Sequence, residues 1–245
     1  MAQSPAPATG HFRYDLLDRQ TQLKPTLDLR NDPSSPGSMP LPGQALAAED
    51  RCHLNGLTIV DGRPRYASAL GETDTAGGWR ANKPHGGCLQ EIDSGEPVVR
   101  GLSMPHSPRV YDGRLWILES GTGQLLQIDP ATGHRQTVAA LSGFTRGLAF
   151  GGPYAFVGLS RIRETSAMDG VPLAERRDQL KCGVAAVDLR TGEVIGFLEF
   201  QTAVEEIFDV QLLPGLRFPE VLGFQKDAVQ HTFVVPQADT PLLRG

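Results

Sequence analysis

The chain has 245 residues, 28 of them glycine and 19 proline, and 40% of the residues are hydrophobic. This composition favours many short strands joined by tight turns, and a single all-β domain can reach this length. The 23 basic and 28 acidic residues give a net charge of −5 without runs of one sign. The sequence therefore lacks the basic patch that nucleic acid or an anionic membrane would require.

No stretch approaches the roughly 18 apolar residues that cross a bilayer, and the N-terminus lacks the basic and apolar segments of a secretory signal. We therefore expect a cytoplasmic protein that binds neither nucleic acid nor membrane. The three cysteines, Cys52, Cys88 and Cys182, are odd in number and form no Cys-x-x-Cys pair. We expect reduced thiols that serve only as small apolar side chains.

Residues 1–45 are rich in proline, serine, glutamine and alanine, and they carry too few apolar residues to fold alone. The sequence predicts an irregular extension there and a short tail at 237–245. Between them, residues 46–236 consist of short apolar strands separated by turn signals, which predicts one domain.

A repeated hairpin identifies the fold within residues 46–236. Each copy is a strand ending in aspartate, a turn ending in glycine, and a returning strand. The copies are Gln127-Ile128-Asp129-Pro130-Ala131-Thr132-Gly133, Ala186-Val187-Asp188-Leu189-Arg190-Thr191-Gly192 and the shorter Glu91-Ile92-Asp93-Ser94-Gly95. Glycine supplies the positive φ of such a turn, and the aspartate side chain can bond the turn backbone.

A second apolar strand pair precedes each hairpin, beginning near Asn55, Ser107, Arg146 and Glu206. Two hairpins make one sheet of four antiparallel strands, which is the composition of a β-propeller blade. The sequence thus predicts an all-β, β-propeller-like fold with about four blades.

Two long segments interrupt the repeat. Residues 161–181 are charged and predict a short helix that starts at Pro172; this segment is either a solvated loop or a lid over one face. Residues 71–87 combine Trp79, Arg80 and His85 with five glycines. Because this second loop joins an aromatic ring, a cation and an imidazole, it is the better candidate for a binding rim.

Polar residues open the inner strands of successive blades, where propeller strands meet around one axis. These residues are Asn55, His106 with Ser107, Arg146 and Glu206. Each also has a structural interpretation. Asn55 and His106 can bond turn backbone, and Arg146 can form a buried ion pair with Glu206. Their joint occurrence nevertheless makes this end of the channel a candidate ligand site.

Five strings of the sequence resemble an uncharacterised family of bacterial conserved hypothetical proteins with a domain of unknown function. They are Asp50-Arg51-Cys52-His53, Lys83-Pro84-His85-Gly86-Gly87, Leu102-Ser103-Met104-Pro105-His106, Gly143-Phe144-Thr145-Arg146-Gly147 and Glu205-Glu206-Ile207-Phe208-Asp209. The resemblance covers residues 46–236 and implies no activity. It also implies that this chain is shortened on its N-terminal side, so that the ring could be incomplete and copies could associate through an open sheet edge.

Inspection finds no protease, kinase or dehydrogenase signature. The fold pattern resembles lactonase-type propellers, in which inner-strand side chains hold a divalent cation, and this comparison implies a metal-dependent hydrolase. Asn55 and Glu206 would then be metal ligands and His106 an acid or base, but a cationic Arg146 would repel a metal. We rank the binding of a small anionic ligand by Arg146 first, hydrolysis second and a protein-interaction scaffold third.

Overall fold

The computed structural model describes residues 50–162 and 168–216. The predicted extension at 1–45 and tail at 237–245 lie outside these residues. The regular secondary structure of the part described consists of strands and two short 3-10 helices, which confirms the all-β prediction. The strands are β1 (Leu54–Val60), β2 (Arg63–Ala69), β3 (Gly87–Glu91), β4 (Pro97–Leu102), β5 (Pro105–Tyr111), β6 (Arg114–Glu119), β7 (Gln124–Ile128), β8 (Arg135–Ala140), β9 (Phe144–Gly151), β10 (Tyr154–Ser160), β11 (Gly183–Asp188) and β12 (Val194–Glu199); the helices are Gly78–Asn82 and Pro172–Gln179.

The strands form three four-stranded antiparallel sheets in chain order, β1 to β4, β5 to β8 and β9 to β12. We call these sheets blades 1, 2 and 3. Within blade 2, Leu115 pairs with Ile128 and Glu119 with Gln124, so the central hairpin has a continuous register. The predicted blade of four antiparallel strands is thus formed three times.

The Asp-to-Gly turns of blades 2 and 3 each pack against the blade before them. In blade 2, the carboxylate of Asp129 accepts hydrogen bonds from the backbone N–H of Ala131 at 2.9 Å and the hydroxyl of Thr132 at 2.7 Å. Gly133 follows with a φ of 69°, and a Cβ there would collide with the carbonyl oxygen of Val98 in β4. Glycine is required for both the turn and the contact.

Blade 3 repeats this contact one blade further on. Asp188 accepts a hydrogen bond from the backbone N–H of Arg190 at 2.9 Å, and a Cβ on Gly192 would collide with the carbonyl oxygen of Val138 in β8. The repeat visible in the sequence therefore encodes the packing between blades as well as the hairpins.

The inner strands also approach each other closely, with β5 in contact with both β1 and β9. A Cβ on Gly56 would collide with residues 107–108, and one on Gly147 would collide with residues 209–210. Residues 209–210 therefore lie beside β9 as residues 107–108 lie beside β1. The predicted fourth unit, 206–210, occupies the position of a fourth inner strand without strand pairing, and the chain after 216 lies outside the described residues.

The insertion after β10 is a packed cap, which we define as residues 168–180. Leu173 of the cap is 1% exposed and joins a cluster with Trp79, Met104 and Phe144 from blades 1 to 3. Its backbone N–H donates to the carbonyl of Gly121 at 2.9 Å. The short helix expected from Pro172 is confirmed, and the apolar side of the cap covers one end of the blades instead of forming a solvated loop.

Compact packing ends at residue 212, and a separate unit begins at Leu213. Of that unit, the structure describes a turn in which the N–H of Leu216 donates to the carbonyl of Leu213 at 3.3 Å. None of the helices in the described ranges has the length and apolar character needed to span a membrane.

All three cysteines are free thiols. Cys88 and Cys182 are buried and Cys52 is half-buried. Burial raises the pKa of Cys88 to about 12, so this thiol stays protonated and unreactive at neutral pH. The positions agree with the expectation of apolar, reduced side chains.

Candidate functional site

Asn55 braces blades 1 and 2. Its amide nitrogen donates to the carbonyl of Pro105 at 2.9 Å, and its amide oxygen accepts from the hydroxyl of Ser68 at 2.7 Å. Both polar ends are therefore occupied by the fold. The structural interpretation of Asn55 is the one that these contacts support.

His106 is buried at the start of β5, with 5% of its surface exposed. Its Nδ1 lies 3.0 Å from the carbonyl oxygen of Met104 and 2.9 Å from the hydroxyl oxygen of Ser120. A carbonyl oxygen can only accept, so Nδ1 carries the proton and Nε2 carries the lone pair. The Ser120 hydroxyl itself donates to the carbonyl of Thr145, which leaves its oxygen able to accept from Nδ1.

His106 stays neutral at physiological pH. Burial, and secondarily the charge of Arg146, lower its pKa to about 3. A general acid or base works best with a pKa near the working pH, so this imidazole is poorly suited to proton transfer at neutral pH. Its ring also meets Phe144 edge to face, with centroids 5.6 Å apart.

Ser107 contributes to the joint between blades 2 and 3. Its φ is 52°, in the left-handed region, and its hydroxyl oxygen accepts a hydrogen bond from the N–H of Gly147 at 3.0 Å. This contact gives Ser107 a structural role.

Arg146, on β9, differs from the other inner-strand residues because its polar end is uncommitted. The guanidinium carbon lies 4.5 Å from the ring centroid of Phe208, so the cation rests on an aromatic face. Among the described residues it forms no hydrogen bond and no ion pair. Burial lowers the pKa of Arg146, while Glu206 and Asp209 act in the opposite direction.

The expected ion pair between Arg146 and Glu206 is not formed, although the carboxylate lies close enough to act on the pKa of Arg146. Asp209 pairs with a different arginine, Arg109. Its Oδ1 lies 3.6 Å from Nη2 of Arg109, whose Nε and Nη1 donate to the carbonyls of Leu148 and Pro108. The guanidinium of Arg109 is therefore bonded within the fold, whereas that of Arg146 forms no hydrogen bond within residues 50–162 and 168–216.

Asp209 and Phe208 were missed in the sequence. Asp209 lies beside Gly147 in the same way that Ser107 lies beside Gly56. Asp209, three residues after Glu206, is therefore the positional equivalent of Ser107. The apolar pattern of 206–210 shows that a strand-like segment exists but not its register against β9. The close approach at Gly147 sets that register.

The rim residues Trp79 and Arg80 form a second cluster around Asp50. Trp79 is 2% exposed, and its indole Nε1 donates to Asp50 at 2.9 Å. Arg80 stacks on this indole at 4.3 Å and approaches Asp50 at 3.6 Å. His53, also missed in the sequence, contacts the same carboxylate through Nδ1 at 2.8 Å and packs on the indole.

His85 lies on the surface, at a cavity of about 270 Å³ between the loop 71–87 and β4. Glu72 and Arg100 line the same cavity and are joined by hydrogen bonds of 2.8 and 3.1 Å. Trp79 also lines this cavity, but no contact between His85 and Asp50 is formed among the described residues.

The model of a family described as a domain of unknown function (DUF4915) matches residues 36–222. The chain belongs to this family. The match confirms the resemblance to a family with a domain of unknown function, and it contains every site residue considered above, from Asp50 to Asp209. A comparison with curated proteins finds no match.

Solved structures similar to this DUF4915 chain are distant. The designed protein Ika4 has 14% identity and a TM-score of 0.39, over 69% of this chain and 85% of Ika4. Glutaminyl cyclase from Myxococcus xanthus has 16% identity and a TM-score of 0.40, over 68% and 60%. The Cps50 (Swd1) beta-propeller domain from Myceliophteria thermophila has 12% identity and a TM-score of 0.40, over 65% and 45%. The chain spans less than two thirds of the latter two.

Contacts between neighbouring segments bring three of the inner-strand residues to the same region. Ser107, next to His106, bonds Gly147, next to Arg146, and Arg146 contacts Phe208, two residues after Glu206. The charge of Arg146 also acts on the pKa of His106, and Glu206 acts on that of Arg146. Asn55 and Ser107 lie beside them but hold the blades together. We call His106, Arg146, Glu206, Phe208 and Asp209 the axial cluster. The described ranges contain no group of three or more His, Cys, Asp or Glu side chains placed to hold a metal ion.

Proposed function

We propose that this DUF4915 protein binds a small anionic ligand, a carboxylate or phosphate, through Arg146. One observation carries the proposal: a half-buried guanidinium without a hydrogen bond or ion pair among the described residues. Burying a cation costs free energy unless a partner compensates it, and a planar guanidinium matches the two oxygens of a carboxylate or phosphate.

The stacking on Phe208 supports the same role. The ring contacts the guanidinium without offering a hydrogen-bonding group, so the N–H groups of Arg146 stay available to a ligand. The contact restrains the side chain, which reduces the entropy that the side chain loses when it binds. Glu206 and Asp209 oppose an anion, but Asp209 is partly neutralised by Arg109.

The metal-dependent hydrolase alternative has less support. Asn55 already uses its amide oxygen to accept from Ser68, and Glu206 lies in the field of the Arg146 cation. The scaffold alternative rests on exposed Val194, Ile195 and Leu198 of β12, and scattered surface apolar residues of this kind are common. The cytoplasmic location is likewise a proposal, which cell fractionation would test.

Isothermal titration calorimetry with phosphate, acetate and citrate tests the proposed function. Arg146→Lys keeps the charge but loses the planar fork, so we expect binding to weaken by about tenfold or more. Arg80→Lys is the matched control, because Arg80 also stacks on an aromatic ring but lies beside Asp50. Equal affinities in all three proteins, or no binding of any anion to the wild type, would overturn the proposal.

A further inference from the structure

The orientation of His106 limits what a ligand at Arg146 can be. Its Nδ1 is held by the Met104 carbonyl and the Ser120 hydroxyl, and the carbonyl contact fixes the proton on Nδ1. Nε2 is then an acceptor without a proton. It has no hydrogen-bond partner in the part of the chain that the structure describes, and the residue keeps a small exposed surface.

His106 and Arg146 lie on neighbouring inner strands, because the hydroxyl of Ser107 accepts from the N–H of Gly147 and the His106 ring packs against Phe144. The guanidinium charge acts directly on the imidazole and, together with burial, keeps the ring neutral. Without a ligand the ring is therefore neutral at neutral pH, with the proton on Nδ1. Rotating it to present an N–H would break the contact with the Met104 carbonyl. The cluster thus combines several donors on Arg146 with one fixed acceptor on His106.

We infer that the ligand is an anion that also carries an O–H or N–H donor, such as hydrogen phosphate or a 2-hydroxycarboxylate. The anionic oxygens bind Arg146, and the donor binds Nε2 of His106. This inference rests on the proposed function and adds a specificity-determining residue to it. A fully deprotonated anion would direct an oxygen lone pair at the lone pair of Nε2 and leave both unpaired.

Two pairs of probes isolate the donor. Phosphate and sulfate are both tetrahedral dianions at mildly alkaline pH, but only phosphate keeps a proton. Glycolate and methoxyacetate share the carboxylate, and only glycolate has a hydroxyl. A site built to bond a hydroxyl rejects an analogue without it strongly, so we expect phosphate and glycolate to bind at least about tenfold more tightly than their partners.

The outcomes separate this inference from the proposed function. If all four anions bind equally and Arg146→Lys weakens all of them, the donor requirement is wrong and anion binding stands. If none binds, both fail. His106→Asn presents an amide N–H in place of a fixed acceptor, and it should reduce the preference for phosphate over sulfate; an unchanged preference would overturn the role of His106.

A measurement on the wild type covers the case in which His106→Asn does not fold. Nitrogen-15 NMR distinguishes a protonated imidazole nitrogen from an unprotonated one. We expect His106 to be neutral at neutral pH, with the proton on Nδ1. A proton on Nε2 would make the residue a donor and would overturn the inference.

Discussion

Arg146 of β9 and Phe208 of the segment after β12 lie 62 positions apart in the chain, and the guanidinium carbon stacks 4.5 Å from the ring centroid. Phe208 is 65% exposed, so packing in a core does not account for its position. The contact restrains the side chain of Arg146, whose N–H donors have no hydrogen-bond partner among the described residues. The orientation of the axial cluster thus depends on a residue outside the three blades.

Replacing Phe208 with leucine should weaken anion binding by about threefold, because an exposed cation–π contact is worth roughly 0.5 to 1 kcal/mol. Calorimetry with phosphate measures the effect. The control is Phe197→Leu. Phe197 lies on β12, away from the axial cluster, and its ring contacts the ammonium group of Lys181. A Phe208→Leu protein with wild-type affinity would show that the stacking does not orient Arg146.

Glu206→Gln should strengthen anion binding by about fivefold, because it removes a carboxylate that attracts the Arg146 cation and repels an incoming anion. The gain should shrink as salt is added, since salt screens the repulsion. Glu199→Gln, a change in a carboxylate that pairs with Lys181, should have no effect. Weaker anion binding by Glu206→Gln would contradict this account and would favour a ligand that Glu206 contacts.

Thr145→Val should raise the free energy of unfolding by about 1 kcal/mol, because the hydroxyl of Thr145 is fully buried without a partner among the described residues. Valine keeps the shape and removes the unpaired group. Urea denaturation measures the change, and Thr58→Val tests the same argument in blade 1. A loss of stability in Thr145→Val would show that this hydroxyl has a bonding partner in solution.

Asp188 should make the protein sensitive to acid. Hydrogen bonds from the side chain and backbone of Arg190 lower the pKa of Asp188 to about 2. A carboxyl group with a depressed folded-state pKa stabilises the fold above its unfolded pKa near 4 and loses this contribution as the pH falls towards 2. Asp188→Asn should therefore reduce the loss of stability between about pH 4 and 2, as measured by urea denaturation.

Asp112→Asn is the control for that experiment, because Asp112 lies in an exposed turn between β5 and β6. It should leave the acid transition close to that of the wild type. If Asp188→Asn and the wild type lost stability over the same pH range and by the same amount, Asp188 would not be the source of the acid sensitivity.

The sequence predicts the blades because their determinants are local. The turn at Asp129 closes through bonds within four residues, and Gly133 permits its backbone. The roles of the inner-strand residues are not local. Asn55 and Ser107 occupy positions similar to that of Arg146, yet their polar atoms bond neighbouring strands, and only the packing between blades reveals this.

Register explains the remaining difference. The sequence repeat aligns Glu206 with the polar residues that open the other inner strands. In the structure, Gly147 packs against residues 209–210, so that Asp209 is the residue in the position equivalent to Ser107. His53 escapes notice because its partner Asp50 lies in a segment without repeat character. The tautomer of His106, on which ligand selectivity depends, follows from a contact with the Met104 carbonyl, two residues away, that only coordinates show.

Nitrogen-15 NMR of the arginine Nε–H groups during a titration with phosphate tests whether Arg146 binds the anion. We expect the Arg146 signal, assigned by its loss in Arg146→Lys, to shift in a saturable manner while the Arg80 signal stays in place. An unchanged Arg146 signal, or equal and non-saturable shifts at Arg146 and Arg80, would contradict the assignment of Arg146 as an anion-binding residue.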